Sequence, residues 1–591
     1  MPGWWGKGLE VDLGSREISV KQLPREIMEM YLGGRGLGVK LLWDRLQAGT
    51  DPLSPQNILV FAAGPLTGTK APAAGRHAVV TKSPLTGTIF DGNAGGYWGA
   101  ALKKAGYDYI CFRGRAARPV YLLVQGERVS LEDAAFLWGE NTGRTLSLLQ
   151  KKLSAGDTAG NRKKRKYGIA CIGRAGEKGV SFACIMNDRG NTCGRGGLGA
   201  VMGSKNLKAV VVSGEKTVPL ADESTFAQYR SDIMRLLVSS PVSSKGLSAF
   251  GTSVLVNLIN YMKLLPTDNF RRVHFANAYE VSGEKIRDSY ERRKKACYGC
   301  PIACKARAGE MDIPEYETLA LLGPACNNAS LESIMEMNRL CNEYGLDTIT
   351  AGATLACYAE LMGRDLKAQE MPGLLREIGE NRGVGAELSR GSAALAVKRE
   401  RPETSMQVKK LELPGYDPRG ALGMALGYAT SNRGGCHLRA YMIGPEIFGK
   451  PKLINRLTFA GKAGLLPIFQ NFFTVMDSLA VCKFVSFSAG EEELAAILGA
   501  VTGVPFTTQQ LLQTGERIWN LERLFNLREG IGSSDDTLPE RFFQDSADNL
   551  ARGINREEFV QALKDYYLYR GWTVEGIPTE EKLTQLGLNL G

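Results

Sequence analysis

The chain has 591 residues, of which 44% are hydrophobic and 23% charged, and this composition excludes a disordered or fibrous protein and indicates about three globular domains. No apolar run reaches the roughly 18 residues of a membrane-spanning helix, and the N-terminus lacks a secretory signal pattern, so we expect a cytoplasmic protein. The formal net charge of +11 comes from dispersed basic residues without a nucleic-acid-binding motif, so we expect no nucleic-acid partner. An acidic protein partner explains the charge equally well.

The first 214 residues have the pattern of short strands. Runs such as GLEVDL, NILVFAAG, HAVVTKS and LKAVVVSG are rich in β-branched residues and are separated by Gly, Pro and Asn. A basic run at 161–166, NRKKRK, lies among Gly and Asp and is predicted to be a solvated loop. We therefore predict a β-sheet-rich domain over residues 1–214.

From Ser224 onward the pattern changes to helical periodicity. Segments such as FAQYRSDIMRLLVSS and AGATLACYAELMGR carry apolar residues at intervals of three and four. A polar stretch at 397–407, VKRERPETSMQ, indicates a junction between two helical domains, residues 215–408 and 409–591. The predicted fold class is α+β, with an N-terminal β-sheet-rich domain followed by two mainly α-helical domains.

Glycine is concentrated in three stretches of the first domain, LGGRGLG, DGNAGGYWG and CGRGGLGAVMGSKN. LGGRGLG lacks the full spacing of the dinucleotide fingerprint, and the chain has no GxxxxGK[ST] motif, so NAD and ATP are disfavoured. Glycine amides beside Arg35, Arg76 and Arg195 could instead hold the phosphates of another cofactor. The alternative is that these glycines serve only tight turns.

Three of the twelve cysteines lie within the stretch KACYGCPIACKA, at Cys297, Cys300 and Cys304. These offsets of three and four allow the thiols to converge on one centre. Zinc is disfavoured, because no second pair of Cys or His ligands follows nearby. An iron–sulfur cube takes four thiolates and is favoured, with a distant fourth cysteine still to be found. The remaining alternative is that the three are buried as small hydrophobic residues.

Motifs along nearly the whole chain resemble those of one enzyme family. They run from YLGGRGLGVKLL through GPLTGTKAPAAGRHAVVTKSPLTG and GRGGLGAVMGSKNLKAVVV to CYGCPIAC, PEYET, NEYGLDTITAGAT, SNRGGCHLRAYM and VMDSLAVCKF. The sequence is similar to the tungsten- and molybdenum-dependent aldehyde:ferredoxin oxidoreductases. This resemblance implies a [4Fe–4S] cluster held by Cys297, Cys300, Cys304 and, as the distant ligand, Cys482.

The resemblance also implies a tungsten (or molybdenum) bis-molybdopterin cofactor, for which the β-rich domain forms a base, and Mg²⁺ bridging the pterin phosphates is a further expectation. Asn and Asp suit pterin ring nitrogens, whereas arginine and glycine amides suit phosphates. The implied contacts in the β-rich domain are Arg76, Asn93, Gly95, Cys193, Gly194, Arg195, Gly196 and Gly197. Those in the helical half are Asp347, Arg439, Asp477 and Val481.

The chain departs from the family pattern at three of the places that the resemblance points to. Asn342 stands where the family often has Asp, and Ala480 and Val481 replace a Gly-Leu pair, which is expected to alter the backbone approach slightly. Arg439 stands where lysine is also found, and a planar guanidinium does not reproduce the point contact of an ammonium.

Two residues are carried over from the family pattern as catalytic. Glu317, the second acid of PEYET, would move protons, and His437 of GGCHLRAYM would hydrogen-bond the aldehyde oxygen. Taken alone, Glu317 could be an ordinary acid at a helix start and His437 a core histidine. Glu315 is the rival acid. His77 and His274 are weaker candidates.

The resulting hypothesis is the oxidation of an aldehyde with water to a carboxylic acid, reversible at low potential. Electrons would leave through the cluster to ferredoxin or an iron–sulfur partner subunit. A homodimer or a hetero-oligomer is compatible with the sequence, although three histidines do not predict the histidine-containing iron site that bridges some family dimers.

Two alternatives are retained. The first is an aromatic acyl-CoA reductase-type catalytic subunit, but the position where such enzymes place a metal-binding cysteine corresponds to Ala320, with Cys326 about two helical turns further on. The second is a non-catalytic electron-transfer subunit that keeps only the cluster.

Overall fold

The computed structural model describes residues 1–156 and 166–588. Residues 161–165 of the predicted basic loop therefore lie outside the described residues. Strands dominate the first part of the chain. They are β1 (Lys7–Asp12), β2 (Ile18–Gln22), β3 (Leu59–Ala62), β4 (His77–Lys82), β5 (Ile89–Ala94), β6 (Tyr109–Arg113), β7 (Val120–Gln125), β8 (Arg128–Asp133), β9 (Gly168–Cys171), β10 (Ile185–Asn187), β11 (Asn191–Cys193) and β12 (Leu207–Ser213).

These strands form two six-stranded mixed sheets, ordered β2-β1-β6-β3-β4-β5 and β11-β10-β9-β12-β7-β8. Strand β5 pairs antiparallel with β4, placing Asn93 opposite Ala78. The edge strands β5 and β11 pack on each other, since a Cβ added at Gly92 would lie 3.0 Å from the Cβ of Cys193. Residues predicted to contact the cofactor therefore come from the adjoining edges of the two sheets.

In the described part of this region, six α-helices accompany the sheets: α1 (Arg25–Tyr31), α2 (Gly34–Arg45), α3 (Trp98–Ala105), α4 (Thr142–Gly156), α5 (Arg174–Glu177) and α6 (Leu198–Ser204). The LGGRGLG stretch, considered above as a phosphate-binding loop, begins helix α2. Its glycines allow close packing, because a Cβ at Gly38 would collide with the side chain of Val80 on β4. Arg35 is buried and paired with Glu522 at 2.6 Å, so it is not available to a phosphate.

After residue 214 the described chain is mostly helical, with short strands β13 (Arg293–Lys295), β14 (Lys305–Ala308), β15 (Met311–Asp312), β16 (Gln407–Val408) and β17 (Leu411–Glu412). The helices are α7 (Glu223–Ser239), α8 (Ser248–Phe250), α9 (Leu255–Tyr261), α10 (Gly283–Ser289), α11 (Tyr316–Leu322), α12 (Leu331–Tyr344), α13 (Thr348–Leu361), α14 (Met371–Glu380), α15 (Gly385–Leu388), α16 (Ser392–Lys398), α17 (Leu422–Thr430), α18 (Lys462–Leu479), α19 (Glu491–Thr502), α20 (Thr508–Arg528), α21 (Arg556–Arg570) and α22 (Glu580–Gln585).

Local sequence explains where several of these helices begin. Ser330 caps α12 by accepting the backbone N–H of Ser333, and Thr507 opens α20 with a capping box that includes Gln510. Helix α18 is almost entirely buried, and it packs against α2, α20 and α21. Through α18 and α2, the helical half is joined directly to the first sheet.

The predicted α+β class is confirmed: a sheet-rich N-terminal part precedes a mostly helical remainder. The boundaries at 214 and 408 remain predictions. Among the described residues, no helix combines the length and the apolar character that crossing a membrane would require.

Candidate active site

A cavity of about 370 Å³ lies where the adjoining sheet edges meet the helical half. Its wall includes many of the residues singled out from the sequence. Those that line it are Arg76, Asn93, Gly95, Gly194, Arg195, Cys297, Cys300, Cys304, Glu317, Asp347, His437 and Cys482. A larger cavity of about 810 Å³ lies around Glu10 and Arg45, near the edge of the first sheet opposite to β5. None of the predicted site residues lines it.

The cysteine motif follows β13 and precedes β14, so an antiparallel hairpin supports it on both sides. Gly299 and Ala303 adopt left-handed backbone conformations, with φ of 62° and 49°, which turn the chain tightly between the thiols. The distant Cys482 follows the end of α18, and its N–H donates to Ala73 O at 3.1 Å. The fold thus brings the four cysteines to the wall of one cavity.

Burial and neighbouring negative groups raise the pKa of two of these thiols, Cys300 and Cys304. The pKa of Cys300 rises to about 11 through burial and the neighbouring Cys482 and Cys297. That of Cys304 lies well above its usual range because of burial and the nearby Glu315. A bound cation favours the thiolate form of these two cysteines, and iron would supply that positive charge.

The arrangement does not suit a single metal ion, since no group of three or more Asp, Glu, His or Cys side chains in the described chain is close enough to hold one. A cluster of several irons is wider than one ion and holds its thiolates further apart. Four thiolates are the usual ligands of a cubane iron–sulfur cluster, so the donor set is compatible with one.

Arg76 links the cysteines to the sheet edge. Its Nε donates to Asn93 Oδ1 and its Nη2 to Asn93 O at 2.7 Å, while Nη1 lies 4.0 Å from Cys482 Sγ. Asn93 Nδ2 is buried and has no hydrogen-bond partner. An unpaired buried donor at a cavity wall is costly in an empty protein and fits a ligand with ring nitrogen or carbonyl acceptors.

Gly95 keeps this corner open. A Cβ added there would lie 2.6 Å from Cys297 Sγ and 3.4 Å from Arg76 Nη1. Any side chain at this position would therefore push against both the cysteine motif and the arginine.

Arg195 clamps the 193–197 loop to the helical half. Its Nε lies 3.1 Å from Asp347 Oδ2, and its other nitrogens donate to Gly435 O at 2.8 Å and Glu412 O at 2.6 Å. Asp347 also caps α13 by accepting the N–H groups of Ile349 and Thr350. Both side chains line the cavity and hold its two walls together.

The other residues predicted to contact the cofactor are buried next to the cavity but do not line it. Cys193 is buried on β11, Gly196 packs on Phe90, Gly197 packs on Ser181, and Val481 is buried in an apolar cluster. Arg439 and Asp477 are buried and pair with each other at 3.3 Å.

Arg439 and Asp477 belong to a buried ionic network. Arg439 lies 2.8 Å from Asp91, and Asp477 lies 2.6 Å from Lys483 and 3.5 Å from Arg35. Burial alone would raise the pKa of Asp91, but Arg439 and Arg35 outweigh that effect and lower it. Since Arg35 is on α2, Asp91 on β5 and Asp477 on α18, the network fastens the sheet to the helical half.

Glu317 and His437 form a buried pair at the cavity wall. Glu317, in the first turn of α11, accepts the N–H of Gly415 at 2.7 Å through Oε2, and its Oε1 lies 3.4 Å from His437 Nε2. Neither Glu317 Oε1 nor His437 Nδ1 has a hydrogen-bond partner. These free atoms are available to a substrate or cofactor.

The protonation of this pair is set by burial. Burial raises the pKa of Glu317 to about 8. It lowers the pKa of His437 well below the usual range, with further lowering by Arg195 and Arg433. Near pH 7 the pair is therefore mostly a protonated carboxyl beside a neutral imidazole, with the proton able to leave Glu317 near neutral pH.

The rival acid and the other histidines have different surroundings. Glu315 lines the cavity but accepts a hydrogen bond from Thr252 and lies 3.8 Å from Lys305. His77 is buried against the ring of Trp98, with centroids 4.5 Å apart. His274 does not line the cavity either. Only His437 of the three histidines joins the site.

Sequence reasoning missed several residues of the wall. Tyr416, Arg433 and Tyr441 line the cavity, and the tyrosine rings lie 5.7 and 6.1 Å from that of His437. Arg433 Nη2 donates to Cys436 Sγ at 2.9 Å. Burial alone would raise the pKa of Cys436, but Arg433 and Arg439 outweigh it and lower the pKa to about 7. The SNRGGCHLR motif contains two of the missed groups, Arg433 and Cys436, and their closeness to His437 in the sequence was the available signal.

A smaller chamber of about 210 Å³ adjoins the cavity and is almost wholly apolar. It shares Thr252, Leu255, Tyr441 and Phe484 with the main cavity and is otherwise lined by Val242, Gly246, Leu247, Val254, Leu258, Phe448 and Phe487. The ring of Phe487 packs on those of Phe448, Tyr441 and Phe484 at 5.4, 5.8 and 6.1 Å. This space suits a hydrophobic group.

Family models match almost all of the chain. The model "Aldehyde ferredoxin oxidoreductase, N-terminal domain" matches residues 8–214, and "Aldehyde ferredoxin oxidoreductase, domains 2 & 3" matches residues 228–588. The chain belongs to the aldehyde ferredoxin oxidoreductase family. The resemblance inferred from the motifs is confirmed.

Individual family members are similar over their full lengths. The tungsten-containing aldehyde ferredoxin oxidoreductase of Pyrococcus furiosus is 44% identical, with 100% of this chain and 99% of that protein covered. The enzyme of the same name from Thermococcus kodakarensis is 41% identical over the same shares.

The fold is shared with a solved structure of another enzyme, the active site complex BamBC of benzoyl coenzyme A reductase with 1,5-dienoyl-CoA. The TM-score is 0.83 at 26% identity, covering 99% of this chain and 97% of that one. The fold alone therefore does not distinguish an aldehyde oxidoreductase from an aromatic acyl-CoA reductase. The residues of the site have to make that distinction.

Proposed function

We propose that this protein oxidises aldehydes with water to carboxylic acids and passes the electrons to ferredoxin or an iron–sulfur partner subunit, with the reverse reaction at low potential. The observation that carries the proposal is the buried Glu317–His437 pair facing the same cavity as the four cysteines. The full-length similarity to tungsten-containing aldehyde ferredoxin oxidoreductases supports it. A cytoplasmic location is part of the proposal.

The proposed cofactors are a tungsten (or molybdenum) bis-molybdopterin and a [4Fe–4S] cluster on Cys297, Cys300, Cys304 and Cys482. Asn93 Nδ2, Glu317 Oε1 and His437 Nδ1 are unpaired polar atoms of the wall that such a pterin site would satisfy. Arg76 is the better placed of the two cavity arginines for its phosphates, because its Nη1 has no oxygen partner. Arg195 already donates to Asp347, Gly435 and Glu412, so a phosphate would have to share its guanidinium. Mg²⁺ bridging the phosphates remains a proposal. When bound, the pterin-held metal supplies two-electron redox chemistry, and the cluster supplies one-electron transfer.

The protein's own side chains would manage protons and orientation. Glu317, with its pKa raised to about 8, accepts a proton from water as the aldehyde is hydrated and oxidised, and it releases that proton readily near neutral pH. Only after the ionised Glu317 has taken that proton can its carboxyl donate towards His437 Nε2, 3.4 Å away, and the neutral imidazole then carries its hydrogen on Nδ1. That hydrogen can then bond the aldehyde oxygen as negative charge grows there.

The apolar chamber favours substrates with a hydrophobic side chain. Its wall of Phe448, Phe484, Phe487 and Tyr441 offers no charged group to the substrate. An aromatic or aliphatic aldehyde would gain about 25 cal/mol for each Å² of apolar surface buried there, whereas a phosphorylated aldehyde would lose hydration without compensation.

The acyl-CoA reductase alternative has the support of the shared fold. However, Ala320 and Cys326 do not line the cavity, and Cys326 Sγ is directed at Leu321 O and Gly352 O at 3.2 and 3.3 Å. No cysteine is therefore offered to the metal in this segment. Retention of the Glu317–His437 pair also disfavours the non-catalytic electron-transfer alternative.

The first experiment measures tungsten, molybdenum and iron in protein purified without oxygen from a host that makes the pterin. About one tungsten or molybdenum and about four irons per chain are expected, together with reduction of a viologen dye by aldehydes. Iron without tungsten or molybdenum would support the electron-transfer alternative. A loaded protein that reduces no dye with aldehydes but reacts with an aromatic acyl-CoA would support the reductase.

A further inference from the structure

An exposed face beside the cysteine motif combines aromatic rings with unpaired cations. We propose that it is the docking site of a small acidic iron–sulfur protein, an inference that rests on the function proposed above. The face, called here the exit face, consists of Lys70, Tyr97, Lys104, Arg230, Tyr298 and Gly299.

The exit face lies directly over the cysteines. Gly299 stands between two residues of the motif, Tyr298 and Cys300, and it is exposed. A Cβ added at Gly299 would have only Ala71 O nearby, at 3.6 Å, so space beyond it is open. Because electron tunnelling falls steeply with distance, a partner cluster placed over Gly299 would have a short path to the cysteine-bound one.

The centre of the face is aromatic. Tyr97 is 52% exposed, and its ring lies 6.3 Å from that of Tyr298 in an edge-on arrangement. Lys104 Nζ lies 5.1 Å from the centroid of the Tyr298 ring. Exposed tyrosines surrounded by charged groups are typical of the centre of a protein interface.

The rim of the face is basic. Lys70 adjoins Ala71 under Gly299, and Arg230 Nε donates to Lys70 O at 3.1 Å. None of Lys70, Lys104 and Arg230 forms an ion pair with any acidic group in the described ranges. Asp188, behind Tyr97, is engaged by the N–H groups of Tyr97 and Trp98 at 2.6 and 2.8 Å.

These features select an acidic partner. Unpaired cations around a small aromatic centre attract negative charge and speed the encounter of the two proteins, while salt weakens the attraction. Oxidation of one aldehyde by water yields a carboxylate, three protons and two electrons. Two one-electron partners must therefore dock and leave in each turnover, which suits a weak, charge-steered contact.

The test reverses the three cations together, as Lys70→Glu, Lys104→Glu and Arg230→Glu, in the loaded enzyme. The control variant carries Lys21→Glu, Lys452→Glu and Lys564→Glu, three exposed lysines outside the exit face that change the net charge equally. Aldehyde oxidation is measured with an acidic [4Fe–4S] ferredoxin and with a viologen dye. Binding of oxidised ferredoxin to immobilised enzyme is measured in parallel at several salt concentrations.

We expect the exit-face variant to lose tenfold or more in kcat/KM for ferredoxin at low salt and to show weaker dependence on salt, with unchanged dye activity and metal content. Tyr97→Ala should weaken ferredoxin binding without altering the salt dependence. Equal losses in the exit-face and control variants would overturn the proposal. If no protein oxidises aldehydes, the proposed function fails, and the ferredoxin-binding measurement alone then decides whether this face docks an acidic iron–sulfur protein.

Discussion

The protonation of Glu317 is set by where its carboxyl lies. It has one backbone N–H as donor, from Gly415, and a neutral imidazole beside it, so burial dominates and raises its pKa to about 8. A carboxyl with this pKa is mostly protonated at pH 7 and ionised above pH 8. Its ionised form is the one that accepts a proton from water.

Replacing Glu317 with Gln tests this role, because Gln keeps the size of the side chain but cannot exchange the proton. Turnover should fall by about 10²- to 10⁴-fold with tungsten and iron content unchanged. In the native enzyme kcat should rise with pH and level off above about pH 8, and the variant should lack that rise. Glu315→Gln is the matched control, and an equal loss in both variants would remove the distinction between the two acids.

Asn93 carries the clearest sign of a missing ligand, since its Nδ2 is buried and unpaired. Asn93→Leu keeps a similar volume and removes both the donor and the acceptor for Arg76 Nε. We expect the tungsten content to fall several-fold while about four irons per chain remain. Full tungsten content in this variant would show that Asn93 is not needed to hold the pterin.

At the scale of elements, sequence patterns predicted which parts would be sheet and which helix. Alternation of β-branched residues located β3, β4 and β12, and three-four periodicity located α7 and α13. The pattern failed at LGGRGLG, because glycine there serves the contact between α2 and β4, which depends on residues far apart in the chain.

In the site, too, residues close together in the sequence were predicted, whereas residues brought together only by the fold were missed. Spacing alone suggested a cluster on Cys297, Cys300 and Cys304. Cys482 came only from the family resemblance, because it lies 178 positions after Cys304 and reaches the motif through α18. Tyr416 and Arg433 were missed because each joins the wall through tertiary packing. The ion pair between Arg439 and Asp477 likewise could not be predicted from the sequence pattern.

Gly38→Ala tests the packing of α2 on the sheet. The added methyl would collide with Val80, so the helix must shift, and the free energy of unfolding should fall by about 1–3 kcal/mol. Gly373→Ala, in α14, is the control because a Cβ there meets nothing within 4 Å. It should leave stability unchanged or raise it by up to about 1 kcal/mol. Denaturant unfolding of both variants measures the difference, and equal midpoints would contradict the packing explanation.

At the scale of the whole molecule, two halves of different architecture meet at buried charges. Asp477 on α18 is surrounded by Arg35, Arg439 and Lys483. Removing one partner of a buried pair leaves its charges uncompensated, which costs far more than losing a surface pair.

Asp477→Asn should therefore lower the free energy of unfolding by about 3–5 kcal/mol. Asp545→Asn breaks an exposed pair with Arg552 and should change it by about 1 kcal/mol or less. Thermal unfolding of the two variants under identical loading compares them. A small effect of Asp477→Asn would mean that water or a ligand compensates the three cations.

Arg76 lies between the two proposed cofactor sites. One side of its guanidinium donates to Asn93, a proposed pterin contact, and the other side lies near Cys482, a proposed cluster ligand. A protein loaded with only one of the two cofactors would leave this buried guanidinium with half of its intended partners. Each cofactor would therefore give the same side chain one of its partners, so that the two sites are coupled through Arg76 although either can be filled alone.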